Sequence, residues 1–267
     1  MPNAFGAVVA CSSFTNLQQY LGLSSSGCQV GDRIVSNFSF LFQGGTSSDT
    51  AQSPLVPSAS NVTVTTAEAS QSADPAWVSL TFNFNGLATV AANQTMSLTI
   101  QYVVTSGVAA PAMEGVYMNG VGAERNQSAA DAYAAVTGTT CLGGSYKQAA
   151  KAPTGICQNG TQAGVLDDEF GATATTNNPN VRGNQFTDAA SIGSALAPLG
   201  QTKVGVYTSV ELMGGSTDSP AGASEAALST LTQTFYESYA TPEPVPLVLV
   251  GCALVGLSWG RRQKARG

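Results

Sequence analysis

The chain has no histidine among its 267 residues. That excludes Ser-His and Cys-His nucleophilic sites, histidine-ligated zinc and histidine general bases. Charge is also scarce. Asp, Glu, Lys and Arg make up 10% of the residues, against about 25% in ordinary soluble domains. Arg261, Arg262, Lys264 and Arg266 fall at the extreme C-terminus, so residues 1–241 carry six basic and 15 acidic groups, a net charge of −9. Such a body has no field to attract a phosphate backbone, which excludes nucleic acid as a partner. Glu, Lys and Arg, which long helices carry on their exposed faces, are too few for a helical protein. No Gly-x-Ser-x-Gly, Ser-x-x-Lys or phosphate-loop pattern occurs, and nothing implies a cofactor.

Ser, Thr, Asn, Gly and Ala fill the body instead. Ser, Thr and Asn suit the solvent faces of strands and turns. A disordered polar coat has a similar composition, but it lacks the apolar alternation seen here. From Arg33 onward Ile34, Ser36, Phe38 and Phe40 alternate with Val35, Asn37, Ser39 and Leu41. Further runs are Val62–Thr66, Trp77–Phe84 (Val78, Leu80, Phe82 and Phe84 on one face) and Met96–Val104 (Met96, Leu98, Ile100 and Tyr102). Weaker strands are expected at Gly115–Met118, Ala132–Thr137, Lys203–Leu212 and Ala226–Tyr236. Before them, apolar residues at 14, 17, 20 and 21 fit a short helix ended by Gly22. The segment from Cys141 to Gln201 reads as long loops. The expected class is all-β: an antiparallel β-sandwich over residues 1–241 with a short N-terminal helix.

Cys11, Cys28, Cys141 and Cys157 lie in this body and allow three pairings. The two short spans favour Cys11 with Cys28 and Cys141 with Cys157. Each bridge closes a loop worth about 3 kcal/mol in the chain-entropy model. Disulfides imply an oxidising compartment outside the cytoplasm. The alternative is four unpaired small apolar residues, since no Cys-x-x-Cys metal or redox spacing occurs. Residues 1–10 lack the basic and apolar regions of a signal peptide, so export implies either a true start upstream or a sequence that begins near the mature N-terminus.

Residues 242–267 carry the sharpest signal. Pro242-Glu243-Pro244 and Val245-Pro246 hold the chain extended before an apolar run ending at Trp259. The stretch Val245–Trp259 has 15 residues, about 22 Å of helix against about 30 Å of hydrocarbon. It is expected to be a single transmembrane helix anchored by Leu247, Val250, Leu254, Leu257 and Trp259. Cys252 is a small apolar residue within it. Interfacial Trp259 and snorkelling arginines make up the missing length. The basic stop Arg261, Arg262, Lys264 and Arg266 stays cytoplasmic by the positive-inside rule. Pro242, Glu243 and Pro244 then form an exposed processing motif beside the inner membrane. A buried C-terminal helix and a permanent tail anchor are the alternatives.

The order of Pro-Glu-Pro, short apolar helix and Arg-rich end resembles the PEP-CTERM sorting signal of Gram-negative bacterial exported proteins. Gly251, Gly256 and Leu257 match the Gly and Leu spacing of that helix. The resemblance implies export by the general secretory route and recognition by an exosortase, a membrane-embedded cysteine transpeptidase. It also implies tail removal and a place at the cell surface, in bacteria that make exopolysaccharide. More weakly, Cys28-Gln29-Val30-Gly31-Asp32 and Ser36-Asn37-Phe38-Ser39 resemble the N-terminal part of uncharacterised ectodomains bearing this signal.

Other features are less specific. Asn37, Asn61, Asn93, Asn126 and Asn159 each begin an Asn-x-Ser/Thr triplet, which this Ser/Thr content produces by chance. Asp167-Asp168-Glu169 is an exposed loop or a calcium loop, although EF-hand spacing is absent. Trp77 reads as a core anchor, with sugar stacking as the alternative. The expected function is therefore a non-enzymatic surface or matrix protein, structural or adhesive, in contact with exopolysaccharide. The alternatives are a secreted carbohydrate-active enzyme with two facing carboxylates and a plain carbohydrate-binding module.

Overall fold

A computed structural model describes residues 8–23, 25–44, 57–69, 77–91, 93–107, 110, 112–125, 132–147, 155–171, 185–190, 201–214 and 225–237. Among the described residues fourteen strands follow a 3-10 turn (Cys11–Ser13) and one short α-helix. The first sheet runs in the order β1 (Cys28–Val30), β2 (Arg33–Gly44), β6 (Thr95–Ser106), β13 (Lys203–Gly214), β8 (Ala132–Leu142) and β11 (Thr161–Gly171). The second runs β12 (Gln185–Ala190), β7 (Met113–Arg125), β14 (Glu225–Glu237), β4 (Trp77–Asn83) and β3 (Thr63–Ala69), with β5 (Thr89–Ala91) also on β14. Every paired strand is antiparallel to its neighbour. A separate hairpin joins β9 (Ser145–Lys147) to β10 (Ile156–Gln158).

The two sheets share one apolar core. Met96, Leu98, Ile100 and Tyr102 of β6 are buried in it with Val78, Leu80 and Phe82 of β4 and Phe235 of β14. Period-two alternation puts each of these sets on one face of its strand. Tyr102 stands at the centre. Its ring lies 5.3 Å from Phe38, 6.1 Å from Phe82 and 6.2 Å from Phe235. Such pairs contribute about 0.5–1.5 kcal/mol each beyond area burial. The Tyr102 hydroxyl donates across the core to Gln233 Oε1, and Gln233 Nε2 donates back to Thr208 Oγ1 at 2.7 Å. A polar thread therefore crosses the apolar layer with its partners satisfied, as burial requires. Burial holds the Tyr102 hydroxyl well above its ordinary pKa.

The helix α1 (Leu17–Leu21) begins at Asn16, whose side chain accepts from the Gln19 amide at 3.1 Å while Gln19 caps Asn16 in return. Tyr20 extends the aromatic chain from α1 to Phe38 at 5.0 Å. Its hydroxyl donates to the Cys11 carbonyl at 3.0 Å. The α1 helix thus sits inside the loop closed by the first disulfide, as its sequence position requires.

Both local disulfides form. Cys11–Cys28 has a Cα separation of 4.9 Å and Cys141–Cys157 one of 5.4 Å. All eight expected strands are present as β2, β3, β4, β6, β7, β8, β13 and β14. Three expectations need correction. In β2, strict alternation put Ile34 and Ser36 on the face of Phe38. Instead Val35 joins Phe38 in the core, because Asn37 takes φ 55° and the register slips between Ser36 and Ser39. One extra residue at a bulge reverses the phase. The segment Cys141–Gln201, expected as loops, carries β9, β10, β11 and β12. The acidic run Asp167–Glu169 lies on β11 opposite Val136 and its neighbours rather than in a loop. Backbone pairing to β8 defines that edge strand, so apolar alternation is not needed to specify it. Third, Trp77 is half-buried outside the core, because Val78 takes the inward position beside it.

The tail expectations fall on Pro242, Glu243, Pro244, Leu247, Val250, Leu254, Leu257, Trp259, Arg261, Arg262, Lys264 and Arg266, which all lie outside the described residues. Among the described residues no helix is long and apolar enough to cross a membrane.

Candidate ligand site on the outer face of the first sheet

The outward side of a sandwich sheet is normally wet. Here part of it is covered. Along β13 the inward residues Val204, Val206, Val210 and Leu212 belong to the core, while Tyr207 and Ser209 point the other way and are still buried. Register places Gln101, Tyr207 and Thr139 side by side across β6, β13 and β8, and Thr99, Ser209 and Thr137 in the next row. Gln101 is 5% exposed, Tyr207 3% and Ser209 8%.

The β9–β10 hairpin supplies part of the cover. It follows directly from β8 and is stapled by Cys141–Cys157. Two glycines allow it to lie close. A Cβ on Gly205 would come within 2.8 Å of Ser145 Cα, and one on Gly155 within 2.5 Å of the Tyr207 ring. Tyr146 on the hairpin packs on Tyr207 with centroids 5.7 Å apart.

Beside this contact lies a cavity of about 620 Å³, within the range of small-molecule sites. Its lining includes Thr137, Thr139, Tyr207, Ser209 and Glu211 from the sheet, Gln162 from β11, and Ile156 and Cys157 from the hairpin. Among these described residues Glu211 is the only charged side chain. Three buried polar atoms of this sheet face, Gln101 Nε2, Tyr207 Oη and Ser209 Oγ, have no hydrogen-bond partner among the described residues. Each such atom costs about 1–3 kcal/mol when left unpaired. Burial, reinforced by the negative charge of Glu211, pushes the Tyr207 hydroxyl up to about 12. The Tyr146 hydroxyl is also raised by burial, opposed by the polar side chain of nearby Thr139. Both phenols are therefore neutral at physiological pH, and each offers one donor and acceptor sites.

A second polar cluster joins the sheets at one end. Arg33, fully buried, lies 3.1 Å from Glu237 and 3.4 Å from Asp32, and donates to Ser106 Oγ. Burial and a hydrogen bond with Asp32 raise the Glu237 carboxyl, while Arg33 opposes the rise. This cluster fastens the end of β14, the strand that leads into the tail.

The structure brings Cys157 to the cavity and leaves Cys11–Cys28 at the far end of the chain order, beside α1. Among the described residues no cluster of Cys, Asp and Glu is arranged to hold a metal ion. Sequence reasoning missed Gln101, Tyr207 and Ser209, because polar residues alternating with apolar ones read as a solvent face. The available signal was Tyr207 itself, a large ring on the polar side of a strand next to Gly205. On the second sheet the outer face carries half-buried Trp77 and Tyr236 as register partners. No protein-family model matches the chain, and no curated protein matches it.

Proposed function

We propose that this protein is an exported, non-enzymatic component of a bacterial cell surface or extracellular matrix. In this reading residues 242–267 form a PEP-CTERM sorting signal that holds the chain in the inner membrane until an exosortase processes it at Pro242-Glu243-Pro244. The β-rich body then serves a structural or adhesive role in contact with exopolysaccharide. The observation that carries the reading is the pair of local disulfides in an all-β body with little charge. Covalent bridges of this kind persist where thiols are oxidised.

Intact-mass and C-terminal peptide analysis of surface material from the native host tests it. The mature chain is expected to end near residues 242–244. Recovery of peptides containing Arg266 from that material would refute processing and leave a permanent anchor.

The second reading is a secreted carbohydrate-active enzyme, and the cavity is the observation in its favour. A glycosidase of that kind needs two carboxyl groups about 5–9 Å apart. Of the described cavity residues only Glu211 carries one. Hydrolysis of a polysaccharide by the purified chain, lost in Glu211→Gln, is the result that would favour this reading.

A further inference from the structure

The cavity under the β9–β10 hairpin has a chemistry that selects its occupant. Tyr207 and Ser209 line it, are both more than nine-tenths buried, and hold hydroxyls with no partner among the described residues. A hydroxyl both donates and accepts, so its best partner is another group that does both. Thr137, Thr139 and Gln162 add further donor and acceptor atoms to the lining. No described lining residue is cationic, which disfavours phosphate, sulfate and carboxylate ligands. A single carboxylate, Glu211, is too little for a hard cation, which takes six or more oxygens. A purely apolar ligand would leave the buried hydroxyls unpaired. Ile156 and Cys157 add apolar surface to the lining, suited to the C–H face of a ring.

We propose that this cavity is a binding site for a neutral saccharide, held through its hydroxyl groups by Tyr207, Ser209 and the neighbouring threonines. Recognition is by hydrogen bonding at the hydroxyl edge of Tyr207, since its ring is already covered by Tyr146 and Gly155. The site deepens the adhesive role proposed above by naming its ligand class. It rests on the sheet and hairpin alone, so it stands or falls separately from processing of the tail.

The test uses the full chain in micelles of a detergent without a sugar headgroup, applied to an array of neutral, acidic and phosphorylated glycans. The strongest ligand is then titrated by calorimetry. Binding of a neutral oligosaccharide is expected, weakened at least tenfold by Tyr207→Phe and by Ser209→Ala. Because those hydroxyls have no partner among the described residues, both variants are expected to melt no lower than the parent. Trp77→Ala, on the opposite sheet, is expected to bind normally. The proposal is overturned if no glycan binds, if only charged glycans bind, or if Trp77→Ala alone abolishes binding. It is also overturned if Tyr207→Phe and Ser209→Ala bind as the parent does, or if they lower the melting temperature and so assign the hydroxyls a structural role.

Discussion

Removing one partner of the buried Arg33–Glu237 pair is expected to destabilise the fold by about 3–5 kcal/mol, the usual result of leaving a buried charge uncompensated. The geometry supports that scale. At 3.1 Å and an effective dielectric of about 20, the pair's Coulomb attraction is about 5 kcal/mol. Glu237→Leu leaves the fully buried guanidinium with Asp32 as its remaining carboxylate at 3.4 Å. Arg33→Met leaves two carboxylates, Asp32 and Glu237, without the cation between them. The double variant replaces both charges with apolar groups, and is expected to regain most of the loss, because desolvation offsets much of the attraction in the parent. Urea denaturation with the disulfides intact, followed by circular dichroism, gives all four corners of the cycle.

A pH series adds an independent reading. The Glu237 carboxyl is raised above its ordinary value of 4.5 by burial first and by its hydrogen bond with Asp32, against the pull of Arg33. The folded state therefore binds this proton more tightly than the unfolded chain does. Its contribution is complete below the ordinary value and declines as pH rises through the raised one. Glu237→Gln is expected to flatten that decline, leaving Asp32 and Arg33 as the charged groups of the cluster. Single losses that simply add in the double variant, or parent and Glu237→Gln profiles that superimpose, would refute the account.

The remaining predictions concern other parts of the body. Gln233→Leu orphans the Tyr102 and Thr208 hydroxyls and is expected to cost about 2–4 kcal/mol; adding Tyr102→Phe and Thr208→Val should recover most of it in the same denaturation assay. Non-reducing peptide mapping is expected to link Cys11 to Cys28 and Cys141 to Cys157, and replacing either pair by serine should cost about 3 kcal/mol. Loss of the second pair should also speed hydrogen exchange in β9 and β10. Tyr20 and Tyr207, both pushed up to about 12 by burial, are expected to stay neutral past the ordinary value of 10 in an ultraviolet titration. Their raised values mean that stability is retained below pH 10 and falls as pH climbs toward 12, so ionisation of these two phenols at pH 10 in folded protein would contradict their burial.

Strands were legible where one face is apolar and the other polar. In β4 and β6 each inward residue is set by local alternation, and Val78, Leu80 and Phe82 reach the core as their spacing requires. Legibility failed where a single backbone event changes the phase. Asn37 begins an Asn-x-Ser triplet and looks like a modification site, yet its φ of 55° makes it the residue that turns the strand. Asn93 and Asn159 take φ values of 61° and 57° at the turns before β6 and β11. Asparagine tolerates the left-handed region better than most residues, so backbone conformation accounts for three of the five triplets. A triplet search registers the same residues without that reason.

The candidate site was illegible for a different cause. Gln101, Ser209 and Thr139 are spaced like any solvent-facing row, and only contact with a distant segment makes them interior. Gly155 and Gly205 are neutral letters until Tyr207 and Ser145 are brought against them. The Arg33–Glu237 pair likewise joins the beginning and end of the folded body, and no periodicity relates them. Local pattern therefore specifies which residues leave water, while the pairing order of the strands specifies which polar residues leave with them. That second choice also decides what a sheet face can bind. Two faces of this protein show the contrast, one with Trp77 and Tyr236 half-buried as register partners, the other with Tyr207 buried beneath its hairpin beside a cavity. The first can offer rings to a ligand and the second offers hydroxyls, so the binding of the Tyr207→Phe and Trp77→Ala variants distinguishes a hydrogen-bonding cavity from a stacking surface.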